Sequence, residues 1–357
     1  MVTLGRALLA VGVGVVLSFV LASPAFADPA GPTDYLSEIT AVEPPTSTIE
    51  ASILGGDSFL QLRVEAGTEV VVIGYRGEEY LWFRSDGSVW ENQNSPSKYV
   101  NDDRFGGGVI PSNAAPDADP DWVEVGGGGR WSWHDHRAHW MQEVRPFGQS
   151  EGDQILEAVV PLRVDGADVD VTVISTWMPA PSPIPAWLGA AVGALLAGAA
   201  YGLRRRKLPA VAAAVPLAVM ALVVGMWQFV SLPAETGPRP LWWALPAIAV
   251  ICAMGGMVAE IRGQRFTADA ALVLIGFELA VWGVVKRDGL TAAIVPTDAP
   301  GWLDRFATAG AFVGGVGFVL VALWSLFVAP ARERRRSEAS TEAAVTGSIS
   351  DSTAPTG

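Results

Sequence analysis

The chain has three histidines in 357 residues, and all of them fall in one stretch, Trp131-Ser132-Trp133-His134-Asp135-His136-Arg137-Ala138-His139-Trp140-Met141. Imidazole is the commonest metal-binding side chain and the main one that titrates near neutral pH, so chemistry is expected here first. If a strand runs from Trp131 to His136, alternate side chains share a face, which groups His134 with His136 and sets Asp135 opposite them. Two imidazoles so placed can reach one ion, and His139 closes the triangle if the strand ends or bulges near Arg137. Three nitrogens with one open position suit zinc or copper. Asp135 would be a fourth ligand or would orient the imidazoles from behind. Met141 would add soft sulfur for Cu(I). Glu78 and Glu79 would be outer carboxylates if their loop lies nearby. The spacing matches no zincin, zinc-finger or cupin pattern, and Glu143 comes too late to complete the last. A structural reading stands beside the metal one. The same histidines, interleaved with Asp135 and Arg137, would form a satisfied polar network locking a loop beneath Trp131, Trp133 and Trp140. A docking surface for an envelope partner is the third reading. No nucleophile is marked by a neighbouring base, so an enzyme is not expected.

The elements that must hold these residues divide at the composition shift near residue 183. Residues 28–182 carry 26 Asp and Glu against 9 Lys and Arg, a net of −17, whereas the whole chain stands at −13. Such a surface repels nucleic acid, which is therefore not expected as a partner. Short alternating runs at Thr48–Leu54, Phe59–Val64, Glu69–Tyr75, Tyr80–Phe83, Val89–Glu91, Trp131–His136, Leu156–Val164 and Val169–Trp177 predict about eight strands. That number and spacing imply an antiparallel, Ig-like β-sandwich. Asp86-Gly87 reads as a hairpin turn, Gly126 to Gly129 as a flexible connection or second hairpin, and Asn101–Asp121 as one long surface loop. Seven of the fourteen tryptophans, Trp82, Trp90, Trp122, Trp131, Trp133, Trp140 and Trp177, lie in this domain. They read as packing residues or, more sharply, as aromatic platforms for cell-wall sugar.

Beyond residue 183 the pattern changes to apolar segments long enough to cross roughly 30 Å of hydrocarbon. They are expected near Ile184–Leu203, Val211–Leu232, Leu241–Ile261, Ala268–Val285 and Ala307–Ala329, an all-α bundle of five helices in a lipid bilayer. Basic clusters at Arg204 to Lys207, at Arg262 and Arg265, and at Arg332, Arg334, Arg335 and Arg336 all fall on one side. The positive-inside rule puts that side in the cytoplasm and the β-domain outside the plasma membrane. A basic start at Arg6, an apolar run and Ala25-Phe26-Ala27 read as a signal peptide over 1–27. The domains expected are thus 1–27, 28–182, 183–331 and a disordered tail over 332–357. Glu278, inside the fourth span, is either a proton or cation relay or a packing residue held by hydrogen bonds. Cys252, Met254 and Met257 are a candidate soft-sulfur path for Cu(I).

Several segments together carry a family resemblance. Gly74-Tyr75-Arg76-Gly77-Glu78-Glu79-Tyr80-Leu81, Asp86-Gly87-Ser88-Val89-Trp90-Glu91-Asn92 and the W-H-D-H-R-x-H-W-M run from Trp133 to Met141 resemble a family of uncharacterised actinobacterial envelope membrane proteins. The resemblance implies a signal peptide, an exterior β-domain and a membrane portion, and it implies no activity. The leading functional expectation is metal handling or sensing through copper or zinc. The alternatives are an envelope assembly or scaffold protein with a structural His-Asp-Arg network, and proton-coupled transport through the bundle.

Overall fold

The computed structural model describes residues 29–142, 144–206 and 209–328. The expected signal peptide, Lys207, the cluster Arg332, Arg334, Arg335 and Arg336, and the tail lie outside the described residues. Ten strands precede the membrane portion: β1 (Tyr35–Glu43), β2 (Ile49–Leu54), β3 (Phe59–Val64), β4 (Val70–Ile73), β5 (Glu79–Phe83), β6 (Val89–Asn92), β7 (Trp122–Gly126), β8 (Arg130–Trp133), β9 (Gln154–Val164) and β10 (Ala167–Trp177). A short helix, α1 (Pro96–Asn101), lies between β6 and β7.

Seven strands form one antiparallel sheet in the order β1-β10-β9-β4-β5-β6-β7, and β2-β3-β8 form a second. Strand alternation drives the packing. In β10, Val169, Val171, Val173 and Trp177 are buried while Asp168 and Asp170 face out. These valines meet Leu60, Leu62 and Trp133 of the small sheet in a shared core with Leu81, Phe83 and Leu162. Of its two readings, the glycine run before Arg130 is the connection and not the hairpin, carrying the chain from β7 in one sheet to β8 in the other. Strands β1 and β7 add to the eight expected. The Asp86-Gly87 turn is as expected, joining β5 to β6 with Gly87 at positive φ.

Strand β3 breaks the alternation: Phe59, Leu60, Gln61 and Leu62 are all buried. The cause is a third layer. Leu60 and Leu62 face the large sheet, whereas Phe59 packs with Leu232 and Trp242 of the membrane portion. Gln61 donates to Ser132 Oγ, and Ser132 in turn donates to Glu235. A bridge between Thr33 and Ile294, with Ala293 N–H donating to Asp34, ties down a second point. The small sheet is therefore pressed between the large sheet and one end of the bundle.

The bundle is built of α2 (Ile184–Arg205), α3 (Val215–Val230), α4 (Leu241–Ile261), α5 (Arg265–Val285) and α6 (Gly301–Leu323), which runs on through a π turn at Trp324–Val328. Among the described residues five helices are long and apolar enough to cross a membrane. Helices α2 and α6 approach closely at the glycines of α2: a Cβ on Gly189 would collide with the Phe306 carbonyl, and one on Gly193 with that of Gly310. In lipid such close backbone contact supplies the packing energy. The last helix begins earlier than expected, at Gly301. Asp304 and Arg305 therefore lie within its first turns rather than in an outer loop, and Lys286, also assigned to that loop, is buried against Asp304. Each charge is tolerable there because it is answered. Lys286 pairs with Asp304, and Arg305 donates to the carbonyls of Ala292 and Ala293. At the far end Arg204 pairs with Asp269, and Glu260 accepts from the N–H groups of Ala210 and Val211. The described basic residues Arg204, Arg205, Arg262 and Arg265 thus lie at the end opposite the β-domain.

One backbone atom draws three of these helices together. Pro246 has no N–H, so the carbonyl of Trp242, one turn earlier, loses its helical donor. Trp282 of α5 supplies the replacement, its indole N–H donating to Trp242 O at 2.7 Å. Helix α3 closes on the same carbonyl at Gly225, where a Cβ would come within 1.8 Å of it. Trp282→Phe is expected to destabilise the chain by about 1–3 kcal/mol through the orphaned acceptor. In a Pro246→Ala background the restored N–H should reduce that cost, which a double-mutant cycle of thermal melts in detergent would read.

Candidate functional site: a histidine cluster at the junction

Strand β8 stops at Trp133, three residues short of the strand expected, and Asp135 is the reason. Its Oδ1 accepts from the Arg137 backbone N–H at 3.1 Å, the side-chain turn that Asp forms two residues on. The Asp135 carbonyl then accepts from Ala138 N–H at 2.8 Å. The Arg137 guanidinium folds back onto the same carboxylate, with Nε 2.8 Å from Oδ1 and Nη2 2.8 Å from Oδ2. Trp133 Nε1 donates to Oδ2 at 3.0 Å. Burial alone would raise the Asp135 carboxyl, yet the charge and hydrogen bonds of Arg137 hold it below the usual carboxylate range. The remaining guanidinium donor reaches Ile73 O, and the group lies 4.8 Å from the Tyr75 ring centroid. Both oxygens of Asp135 are engaged in this way, so the carboxylate holds the turn.

The turn changes which histidines meet. His134 and His136 do not share a strand face. His139 comes back between them instead, its ring 6.5 Å from His134 and 5.4 Å from His136, nearly perpendicular to the latter. A backbone carbonyl holds each ring: Ser58 O lies 2.6 Å from His134 Nδ1, Asp103 O 2.8 Å from His136 Nε2, and Trp140 O 3.1 Å from His139 Nδ1. Such contacts fix the tautomer and aim the second nitrogen. For His139 that second nitrogen, Nε2, is buried and has no hydrogen-bond partner among the described residues. His134 stacks on Phe59 with ring centroids 4.1 Å apart, which sets the cluster directly against the bundle.

The start of the loop following α1 folds over this group, while the remainder, from Phe105 onward, is mostly exposed as expected of a surface loop. Besides the Asp103 carbonyl, the folded-over start supplies Arg104, which makes a two-pronged ion pair with buried Asp57 at 2.7 and 2.8 Å. Sequence reading missed Asp57 and Arg104, which stand 47 residues apart and carry no local mark. A Cβ on Gly106 would lie 3.3 Å from His136 Cε1 and 3.6 Å from Met141 Cε, so Met141 is a neighbour of the cluster. The other candidates are elsewhere. Glu78 accepts from Ser95, from Ser97 and from Arg76 N–H, anchoring the start of α1. Glu79 pairs with Arg163 on the far face of the large sheet. Glu278 is buried in the bundle with its Oε2 lacking a hydrogen-bond partner among the described residues. Met254 turns outward and Met257 inward, so the two do not form a sulfur pair. Glu143 lies outside the described residues. Among the described residues no group of three or more His, Cys, Asp and Glu is arranged to hold a metal ion.

With this geometry in hand the chain was compared with protein-family models, curated proteins and solved structures. Nothing matched in any of the three. The reading of the site therefore rests on its own chemistry.

Burial drives the His139 imidazole down to about 3, with the Arg104 guanidinium adding to the effect, and burial also lowers His136. Between that value and the unfolded value near 6.5 the unfolded chain holds a proton that the folded chain refuses. Stability contributed by neutral His139 is thus complete above about pH 6.5 and is lost as the pH falls towards 3, at up to about 1.4 kcal/mol per pH unit. Unfolding measured against pH in chelator should show this slope, and His139→Phe should flatten it. Asp135→Asn should cost about 3–5 kcal/mol at any pH above 5, because it strands a largely buried guanidinium.

Proposed function

We propose that this is an actinobacterial-type envelope membrane protein whose β-domain lies outside the plasma membrane, with the C-terminus in the cytoplasm. In this reading the domain is an open sandwich of Ig-like plan, and its histidine cluster binds a transition metal ion for handling or sensing. The observation that carries the proposal is the buried, unpartnered Nε2 of His139 between two further imidazoles, each ring steadied through a backbone carbonyl. A buried lone pair left without a donor is costly, and a metal ion answers it. Copper(I) fits the donors better than zinc. Nitrogen from His136 and His139 with thioether sulfur from Met141 makes a soft set of low coordination number, whereas zinc would need a fourth ligand that Asp135 does not supply. The orientation is supported by the basic residues at the bundle end remote from the β-domain.

The competing reading, a scaffold with a purely structural polar network, draws on the saturation of Asp135 by Arg137 and Trp133. The full chain in detergent, loaded with Cu(I) under reductant or with Zn²⁺ and then desalted, separates the two. We expect one copper per chain, a rise in melting temperature on loading, and loss of both in His139→Ala and Met141→Leu. Absence of bound metal, or metal retained by both variants, would overturn the proposal in favour of the scaffold.

A further inference from the structure

The far face of the seven-stranded sheet, on the other side of the core from the histidines, carries a second constructed feature. Cross-strand pairing lines up Arg163 of β9, Val71 of β4, Trp82 of β5 and Trp90 of β6 in one row. Trp122 of β7 leans against Trp82 with ring centroids 5.5 Å apart and planes 54° apart. Val71, Trp82, Trp122 and Arg163, together with Glu69 and Glu79, line an open groove of about 250 Å³. Its polar groups are held in place. Trp82 Nε1 donates to Glu69 Oε1 at 3.0 Å, and Arg163 Nη1 lies 3.1 Å from Glu79 Oε1. Each contact uses only part of the hydrogen-bonding capacity of its groups. The second oxygens of both carboxylates, and the other donors of a guanidinium whose side chain is 44% exposed, remain for a ligand.

We propose that this groove binds a neutral β-linked glycan of the N-acetylhexosamine class. A pyranose with equatorial hydroxyls presents a flat face of C–H groups, whose positive edges suit the negative face of an indole. Its rim alternates donors and acceptors, matching the carboxylates of Glu69 and Glu79 and the guanidinium of Arg163. An acetamido group offers an N–H to the former and a carbonyl to the latter. The charge around the groove points the same way: the Arg84 guanidinium stacks over the Trp82 ring at 4.3 Å, so the two carboxylates are balanced by two guanidiniums and the groove suits an uncharged ligand, while the domain's net −17 repels acidic polymers. The groove is of a size to seat a single sugar ring at the platform. The site is independent of the metal proposal, because its residues touch none of the histidines.

The test uses the full chain in a polyoxyethylene detergent, because glycosidic detergents would compete. Chitohexaose is the probe, with maltohexaose and tetramethylammonium as comparators and tryptophan fluorescence titration as the readout. Saturable binding of chitohexaose, at least tenfold tighter than maltohexaose and weakened at least tenfold in Trp122→Ala, is expected. Arg163→Gln, a change at an exposed side chain that should leave the melting temperature unaltered, is expected to weaken binding severalfold. Equal affinity for the two hexamers, binding unaffected by both variants, or preference for tetramethylammonium would overturn the proposal; the last would make the groove an aromatic cage for organic cations.

Discussion

The carbonyl oxygen of Trp242 is the joint on which the two halves of this protein turn. A proline at position 246 strips it of its helical donor, and the indole of Trp282 takes the vacant place at 2.7 Å. That single exchange fixes α4 against α5, while Gly225 lets α3 lie on the same atom. It also sets the Trp242 side chain where it can pack with Leu232, Ala30 and Phe59. Phe59 belongs to the β-domain and stacks on His134. From the Trp242 carbonyl in an apolar helix to an imidazole outside it, the path runs through packed, buried groups. Such a chain of contacts is a route by which a change at the histidines would be felt in the bundle, provided the packing has two arrangements.

Within the cluster the acidic and basic residues divide the work. Asp135 and Arg137 are bound to each other, to Trp133 and to the backbone at Arg137 and Ile73, and so fix a tight turn. A buried pair of this kind gains little stability over an apolar replacement but is damaging to break, which makes it a device for shape rather than for strength. The histidines are then free of the task of holding the turn. Their burial keeps at least His136 and His139 neutral, and neutral imidazole is the form with a lone pair to donate.

Local periodicity made much of this legible. The Asp86-Gly87 hairpin, seven strands and three of the five apolar segments could be read within a residue or two, because each is written in its own window. The gathering of the histidines was legible for the same reason. The last two helices begin three and six residues before the apolar runs that announce them. Strand β1 escaped because it is an edge strand of mixed burial, its run Tyr35–Glu43 showing no clean two-residue alternation. Strand β7 escaped because Val123 and Glu124 are exposed and the strand has one neighbour only. The fate of Asp135 was readable in principle, since Asp two residues before Arg in a turn is a local signal, but the strand assignment concealed it. What no window could hold is the pairing of Asp57 with Arg104 or of Lys286 with Asp304. Both are tertiary, and both reverse the ordinary expectation that such charges face water.

The clasp between Asp57 and Arg104 has a further consequence. With one cysteine in the chain, no covalent staple can close the β-domain. The 47-residue stretch between the two ends is shut instead by an ion pair with one partner wholly buried, set against a closure entropy that grows only slowly with length. A clasp of that kind is indifferent to the redox state of its surroundings and opens thermally, on its own timescale. Any solute bound for the histidines beneath would exchange at the pace of that opening, so its rate of entry would level off as its concentration rises instead of climbing in proportion.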